Sequence, residues 1–356
     1  MKMCTRNKKD ITTEYLNSKK IDKELRQESS TLQPLKLLLL GSGECGKSTI
    51  FKQIISFQDE ATKKEYTPPA EYVIKNIFLN ILTATSTLVR VAPNYNIEFT
   101  EEENQKIQTV LNAFSELENL DQTIFTSISD NIKYLWNSKQ IQSIYNDPNR
   151  IYQLNDSTEY LMSNIDRYSK PFKPTQNDYL RVRVKTTGIV EADFKIEAVP
   201  FKLVDVGGQK NQRRKWIHCF QDITSVLFVT SINDYDTVLE EDNATSRFTD
   251  SLELFREMVN SNWFVKSPFV LFFNKVDLFK EKIKRIPVSQ HLKDFNGNDH
   301  SYEETSQFIK NKFHTTIKNS NKIVYHHFTC ALDSHAIEVV FNSIQHSLLM
   351  NVAEVL

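Results

Sequence analysis

Glycine, cysteine and net charge are all scarce in this 356-residue chain, and long apolar runs are missing. Cys4, Cys45, Cys219 and Cys330 stand far apart with no pair at metal-ligand spacing, so neither a disulfide framework nor a zinc site is expected. That usage favours a reducing compartment. A formal net charge of −1 removes the bulk attraction on which nucleic-acid binding relies, and no nucleic-acid partner is expected. Leu35–Leu40, with Lys36 inside it, and Phe269–Phe273 are the longest apolar runs, well short of the ~18–20 residues of a membrane helix. Met1–Asp10 is basic and polar without an apolar core, so no secretory signal is expected and membrane contact must be peripheral. What remains, 40% hydrophobic and 25% charged residues, is the balance of a globular protein long enough for about two domains.

The seven glycines are unevenly spread. Gly41, Gly43 and Gly46 crowd together, Gly207 and Gly208 are adjacent, and none lies between Gly46 and Gly188. Glycine lets a ligand approach the backbone closely, so this clustering points to a ligand site.

Patterning divides the chain. Residues 1–33 are polar, with Ile11, Tyr15, Ile21 and Leu25 as a sparse apolar stripe among lysines. That reads either as a helix facing a partner or membrane, or as a solvated frayed one. Leu35–Leu40 predicts a buried strand feeding a loop, and Thr49–Phe57 a helix. From about Glu71 to Tyr168 the apolar period is helical, as in Val73, Ile77, Phe78 and Ile81, and Ser157 is a candidate N-cap. After Pro171 and Pro174, strands alternate with helices. Phe194–Val199 and Lys202–Val206 suggest a hairpin. Ser225–Thr230, Phe269–Asn274 and Ile323–Thr329 suggest parallel strands, with helices at Phe248–Asn260, Tyr302–Asn319 and Ala336–Met350. The expected class is α/β: a doubly wound, mostly parallel sheet formed by 34–65 and 180–356, interrupted by an all-helical insertion at 66–179.

Gly41-Ser42-Gly43-Glu44-Cys45-Gly46-Lys47-Ser48 fits the phosphate-loop spacing G-x-x-x-x-G-K-[ST] between a strand and a helix that Thr49 helps to open. Backbone N–H groups and the helix N-terminus supply positive potential, Lys47 can reach β- and γ-phosphates, and the Ser48 hydroxyl can ligate Mg²⁺. Asp205-Val206-Gly207-Gly208-Gln209 closes another strand, where Asp205 can hold an ion-bound water, Gly208 can offer its N–H, and Gln209 can orient an attacking water. Asn274-Lys275-Val276-Asp277 argues for guanine. Its aspartate can accept from N1–H and the 2-amino group, which adenine lacks, and a buried carboxylate left unpaired rejects the wrong base. The Lys275 stem can cover a base face. Thr329-Cys330-Ala331 can present the Ala331 N–H to guanine O6, with Cys330 otherwise a packed core residue. In the basic stretch Leu180–Gly188, Thr186 can be a second hydroxyl ligand and Arg183 can stabilise charge on the transferring phosphoryl oxygens.

The motifs G-x-G-E-x-G-K-S-T, R-V-K-T-T-G-I, D-V-G-G-Q, K-W-I-H-C-F, N-K-x-D and T-C-A, in this order, resemble those of heterotrimeric G-protein α subunits from about Lys20 to Leu349. The resemblance implies a P-loop (Ras-like) domain and a helical domain closing over GDP or GTP with Mg²⁺. It further implies Arg183 as an in-chain arginine finger, Gln209 as the water-positioning residue, and Ser48, Thr186 and, through water, Asp205 at the metal. Carried over residue by residue, nucleotide contacts would come from Gly41 to Thr49, Asp156, Ser157, Leu180, Arg181, Arg183, Thr186, Asp205, Gly208, Asn274, Lys275, Asp277, Cys330 and Ala331. Glu44 would pair with Arg183. Switch regions would fall at about Arg181–Val190, Gly207–Phe220 and Asp234–Asp242. Family partners would be a βγ dimer, a seven-helix receptor, an effector enzyme and regulators of GTP hydrolysis, at the cytoplasmic face of the plasma membrane with a cytosolic pool.

The chain departs from the family pattern at several points. Lys2 replaces the myristoylated glycine, leaving Cys4, beside Lys2, Arg6, Lys8 and Lys9, as the palmitoylation candidate. Gln212 stands where an acid is usual, Leu332 where threonine is, and the short C-terminus lacks the family's cysteine. Gln212 and that tail keep open an alternative, a GTP-holding scaffold or βγ-sequestering subunit that hydrolyses poorly. A P-loop ATPase or kinase is disfavoured by Asn274, Lys275 and Asp277.

Overall fold

A computed structural model describes residues 33–353, apart from 118–119, 148–151 and 197–198, and without the side chains of 350–353. The stripe in residues 1–33 and Cys4 lie outside the described residues.

Six strands form one sheet in the order β2-β3-β1-β4-β5-β6. They are β1 (Leu35–Leu40), β2 (Ile189–Ile196), β3 (Val199–Val206), β4 (Ser225–Ser231), β5 (Phe269–Asn274) and β6 (Val324–Phe328). All pairings are parallel except β2 with β3. Parallel strands buried on both faces need continuous apolar runs. In β1, Leu38 and Leu40 enter one core with Phe228, Phe255 and Phe269, while Leu37 and Leu39 enter the opposite one with Ile50, Ile54 and Phe272.

The helices are α1 (Lys47–Ser56), α2 (Glu60–Tyr66), α3 (Ala70–Val91), α4 (Glu101–Ser115), α5 (Gln122–Asn137), α6 (Lys139–Tyr145), α7 (Thr158–Ser163), α8 (Ile165–Tyr168) and α9 (Gln176–Arg181). After the β2–β3 hairpin come α10 (Lys210–Arg213), α11 (Arg247–Val259), α12 (Val276–Lys282), α13 (Tyr302–His314) and α14 (Ser334–Ala353). From α3 to α9 the chain builds a third core of its own, with Ile77, Phe78, Ile81, Phe125 and Ile132 fully buried. Phe78 and Phe125 stack there with ring centroids 4.1 Å apart. By length and composition Ala70–Tyr95 could cross a membrane, a property the short apolar runs did not suggest. Its apolar face is spent on this helical core.

Several boundaries differ from expectation. The hairpin's first strand is Ile189–Ile196, not Phe194–Val199. Its half-exposed alternation, with Ala192 and Phe194 inward and Glu191 and Asp193 outward, hides its start, and Val199 pairs with Ile196 from the other arm. Helix α13 stops at His314 because turn bonds from Thr316 N–H to the Phe313 carbonyl and Ile317 N–H to the His314 carbonyl replace the helical ladder. Ser157 occupies the N-cap position of α7 but makes no side-chain cap bond, its N–H donating instead to Asn155 Oδ1 at 3.0 Å. The expected boundary at 180 falls within α9.

Asp178 anchors α9 to the helical core. Fully buried, it accepts from Arg167 Nη1 and Nη2 at 2.8 and 2.7 Å, Tyr168 Oη at 2.7 Å, Tyr160 Oη at 3.1 Å and the Thr175 N–H at 2.7 Å. Burial raises its pKa, but Arg167, the Thr175 N–H and Tyr168 outweigh burial and hold the carboxyl well below its ordinary value. A depressed carboxylate adds stability above its unfolded pKa and loses it as pH falls. Asp178→Ala should therefore cost about 3–5 kcal/mol at neutral pH, because it strands the partners of a buried charge. Thermal melts should show the gap to the parent closing as the pH falls below 3.8, the ordinary value.

Candidate active site

The singled-out motifs meet along the carboxyl ends of β1, β3, β5 and β6, where open parallel sheets bind ligands. The loop after β1 winds into α1, with Gly46 at φ 103° and its α-carbon against Asn274, so that a Cβ would run into Asn274 Nδ2. Asn274 is buried and ties three loops together: Nδ2 donates to the Cys45 carbonyl at 2.8 Å, and Oδ1 accepts the Ala331 N–H at 2.9 Å. That bond and the one to Cys45 give the buried amide a partner at each end. Gln53, fully buried on α1, donates to the Ala331 carbonyl at 2.9 Å and completes the tie.

Lys47 Nζ donates to the Gly41 and Ser42 carbonyls at 3.0 and 2.7 Å. Both of these partners are backbone carbonyls. Gly208 comes so close that a Cβ would meet Lys47 Nζ and Ser42 O. The Ser48 hydroxyl lies 2.8 Å from Thr186 Oγ1 and donates to Asp205 Oδ2 at 2.7 Å. Asp205 Oδ1 is buried with no partner, and burial pushes the carboxyl above its ordinary value against the pull of Lys47. Two hydroxyls beside a carboxylate with one unsatisfied oxygen form an oxygen-only donor set that suits a small hard cation such as Mg²⁺. Among the described residues, no group of three or more His, Cys, Asp or Glu offers another metal site.

Gln209 starts α10 without making a cap bond, and its side chain lies over Gly43. Its segment is pinned by Arg213, which grips both Asp250 oxygens at 2.9 and 2.5 Å and donates to the Gly208 carbonyl at 3.1 Å. Gln212 is engaged as well: its Oε1 accepts from the Gly188 N–H at 3.3 Å and from Lys215 at 3.0 Å.

Arg183 Nη2 pairs with Glu44 at 2.5 Å and with Glu240 at 3.4 Å. Burial raises the Glu44 pKa, but Arg183 and Arg247 bring the carboxyl below its ordinary value. Lys275 Nζ bridges to Asp156 on the helical side at 2.7 Å. Glu44 and Lys275 both hold φ near +60° (63° and 64°), a conformation worth about 1 kcal/mol or more of strain. Asp277 lies exposed on the first turn of α12. Burial and the nearby Asp277 carboxylate push the Cys330 thiol up to about 11, so it stays protonated at neutral pH. Leu180 is buried, and the Arg181 guanidinium lies 4.6 Å from the Tyr160 ring centroid.

Sequence reasoning missed Arg247, which is buried, pairs with Glu44 at 2.9 Å and donates to Gln153 Oε1 at 2.5 Å. It sits in an ordinary amphipathic helix, and no motif marks it.

A family model described as G-protein alpha subunit matches residues 15–348. The chain belongs to that family. A guanine nucleotide-binding protein alpha-12 subunit of Dictyostelium discoideum is 93% identical over 354 residues, which cover 99% of this chain and 100% of the relative. The alpha-4 subunit of the same organism is 39% identical over 341 residues, with 95% and 96% covered. The G(o) subunit alpha of Locusta migratoria is 36% identical over 344 residues, with 94% of each chain covered. This G-protein α subunit is thus a GTP-binding switch and a GTPase that works with other G-protein components. Its sheet and helices have the architecture of a P-loop GTPase with a helical domain.

Proposed function

We propose that this α subunit hydrolyses GTP with Arg183 and Gln209 as catalytic residues and with Ser48, Thr186 and, through water, Asp205 holding Mg²⁺. The observation that carries the reading is the convergence of the Ser48, Thr186 and Asp205 oxygens beside Lys47, with Asp205 Oδ1 left unpaired. When bound, the ion neutralises charge on the β- and γ-phosphates. Lys47, the N–H groups of Gly41 to Thr49 and the Gly208 N–H bind the phosphates. Gln209 orients a water in line with the γ-phosphorus, the water oxygen bonds to it, and the β–γ bridge breaks to release GDP. Arg183 leaves Glu44 to meet the charge that develops on the transferring oxygens. Asp277 reads guanine N1–H and its amino group, Lys275 covers the base, and Cys330 and Ala331 wall it. Asp156 and Ser157 close the site from the helical side, with Leu180 and Arg181 behind Arg183.

The reading is tested by single-turnover hydrolysis of preloaded GTP, with and without Mg²⁺ and with ATP in parallel. GDP and phosphate should form from GTP alone, and only with the metal. GTP that binds and persists would make the protein a hydrolysis-poor scaffold, and equal turnover of ATP would remove the guanine assignment.

The cycle we propose has a βγ dimer holding the GDP form, a seven-helix receptor releasing GDP, an effector enzyme engaged by the GTP form, and regulators that speed hydrolysis. Its place is the cytoplasmic face of the plasma membrane, with a cytosolic pool. One acyl chain on Cys4 beside Lys2, Arg6, Lys8 and Lys9 supplies the two signals that stable anchoring requires. Cys4→Ala should shift the protein from membrane to soluble fractions. An unchanged distribution would assign the anchor to another surface.

A further inference from the structure

Asn80 lies within α3, far in sequence from every phosphate-binding motif. Its side-chain amide nevertheless bonds both sides of one distant residue. The Arg183 N–H donates to Asn80 Oδ1 at 2.8 Å, and Asn80 Nδ2 donates to the Arg183 carbonyl at 3.0 Å. A primary amide used this way does the work of a neighbouring strand, satisfying donor and acceptor of a single residue. Asn155 Nδ2 adds a third bond to Asn80 Oδ1 at 3.2 Å, and Asn155 is itself tied to the Ser157 N–H. Two N–H donors facing the oxygen and one carbonyl facing the nitrogen define which way the amide points.

Arg183 needs such support. It follows the end of α9 in a stretch with no helix or strand, next to the exposed Val184 and Lys185. Lys52 holds the preceding turn, donating to the Tyr179 and Val182 carbonyls at 2.8 and 3.2 Å. Asn80 holds Arg183 itself. The amide is delivered from a rigid platform, since Ile77, Phe78 and Ile81 on the same helix are fully buried.

We propose that Asn80 is the positioning residue for Arg183, fixing the backbone from which the guanidinium reaches the γ-phosphate, so that hydrolysis depends on a helical-domain side chain that touches no nucleotide. This rests on the reading of Arg183 as a catalytic residue. Small misplacements of a catalytic group cost as much as about a hundredfold in rate. The same two bonds could merely join the helical layer to the rest of the protein, and a double-mutant cycle separates the two roles.

Full-length Asn80→Ala, Arg183→Cys and the double variant are loaded with GTP, and single-turnover hydrolysis, GDP affinity and thermal stability are measured. Asn80→Ala should slow hydrolysis about ten- to a hundredfold with GDP affinity nearly unchanged. On the Arg183→Cys background it should cost nothing further. A full additional loss in the double variant overturns the proposal, because Asn80 would then act elsewhere. Slow Arg183→Cys beside normal Asn80→Ala overturns this inference alone, whereas normal Arg183→Cys overturns the arginine assignment and this inference with it. Should Asn80→Ala fold poorly, Asn155→Ala removes the brace, together with the Ser157 N–H bond, and leaves both Asn80–Arg183 bonds in place; a smaller slowing, again absent without Arg183, is expected, and an additive one refutes the coupling.

Discussion

Arg183→Cys is expected to slow single-turnover GTP hydrolysis about 10²–10³-fold while GTP binding changes little, the usual worth of one charged group aimed at developing oxyanion charge. That ratio corresponds to about 3–4 kcal/mol of transition-state stabilisation. The ground state loses far less. Glu44 keeps Arg247 at 2.9 Å when Arg183 is gone, and Glu240 keeps Lys185 at 3.1 Å, so no carboxylate is stranded. A loss confined to the rate, with affinity held, is the signature of an interaction made only in the transition state. Rapid-quench measurement of phosphate from preloaded protein decides the matter. A rate within about threefold of the parent would remove Arg183 from the chemistry, since that is at most about a quarter of the loss expected on the logarithmic scale.

Gln209→Leu should be slower than the parent by about 10²-fold, because the attacking water loses the amide that orients it. Local structure makes this substitution clean. The Gln209 side chain caps no helix, and its segment is held by Arg213 on Asp250 and by Trp216 Nε1 on the Gly207 carbonyl at 2.9 Å. Leucine has a similar volume, so nucleotide retention and melting temperature should stay near the parent's. Unchanged hydrolysis in the same single-turnover assay would mean that another group orients the water.

Much of this site was legible before the fold. Phosphate loops and strand-end carboxylates are local: glycine spacing, a lysine and a hydroxyl at set offsets require only a strand before them and a helix after. β1 and β5 were readable to the residue because both their faces are buried and the sequence there is almost continuously apolar. β2 was not, since an edge strand with Glu191 and Asp193 turned outward resembles a loop. The guanine motif did not disclose what else its asparagine does: the Asn274 amide joins the Cys45 and Ala331 loops.

The order and spacing of the motifs alone determined the family and the class of ligand, and named the candidates for the reacting side chains. Only the tertiary structure decided which groups meet. Lys275 finds Asp156, Arg247 finds Glu44 and Gln153, and Asn80 finds Arg183 across separations that no local period encodes. The reason is physical. A motif binds its ligand through neighbours in the chain, whereas the charge and amide partners that hold it in place are brought there by burial of the sheet and helical cores, and burial specifies apolar faces without naming the polar residues carried along their edges.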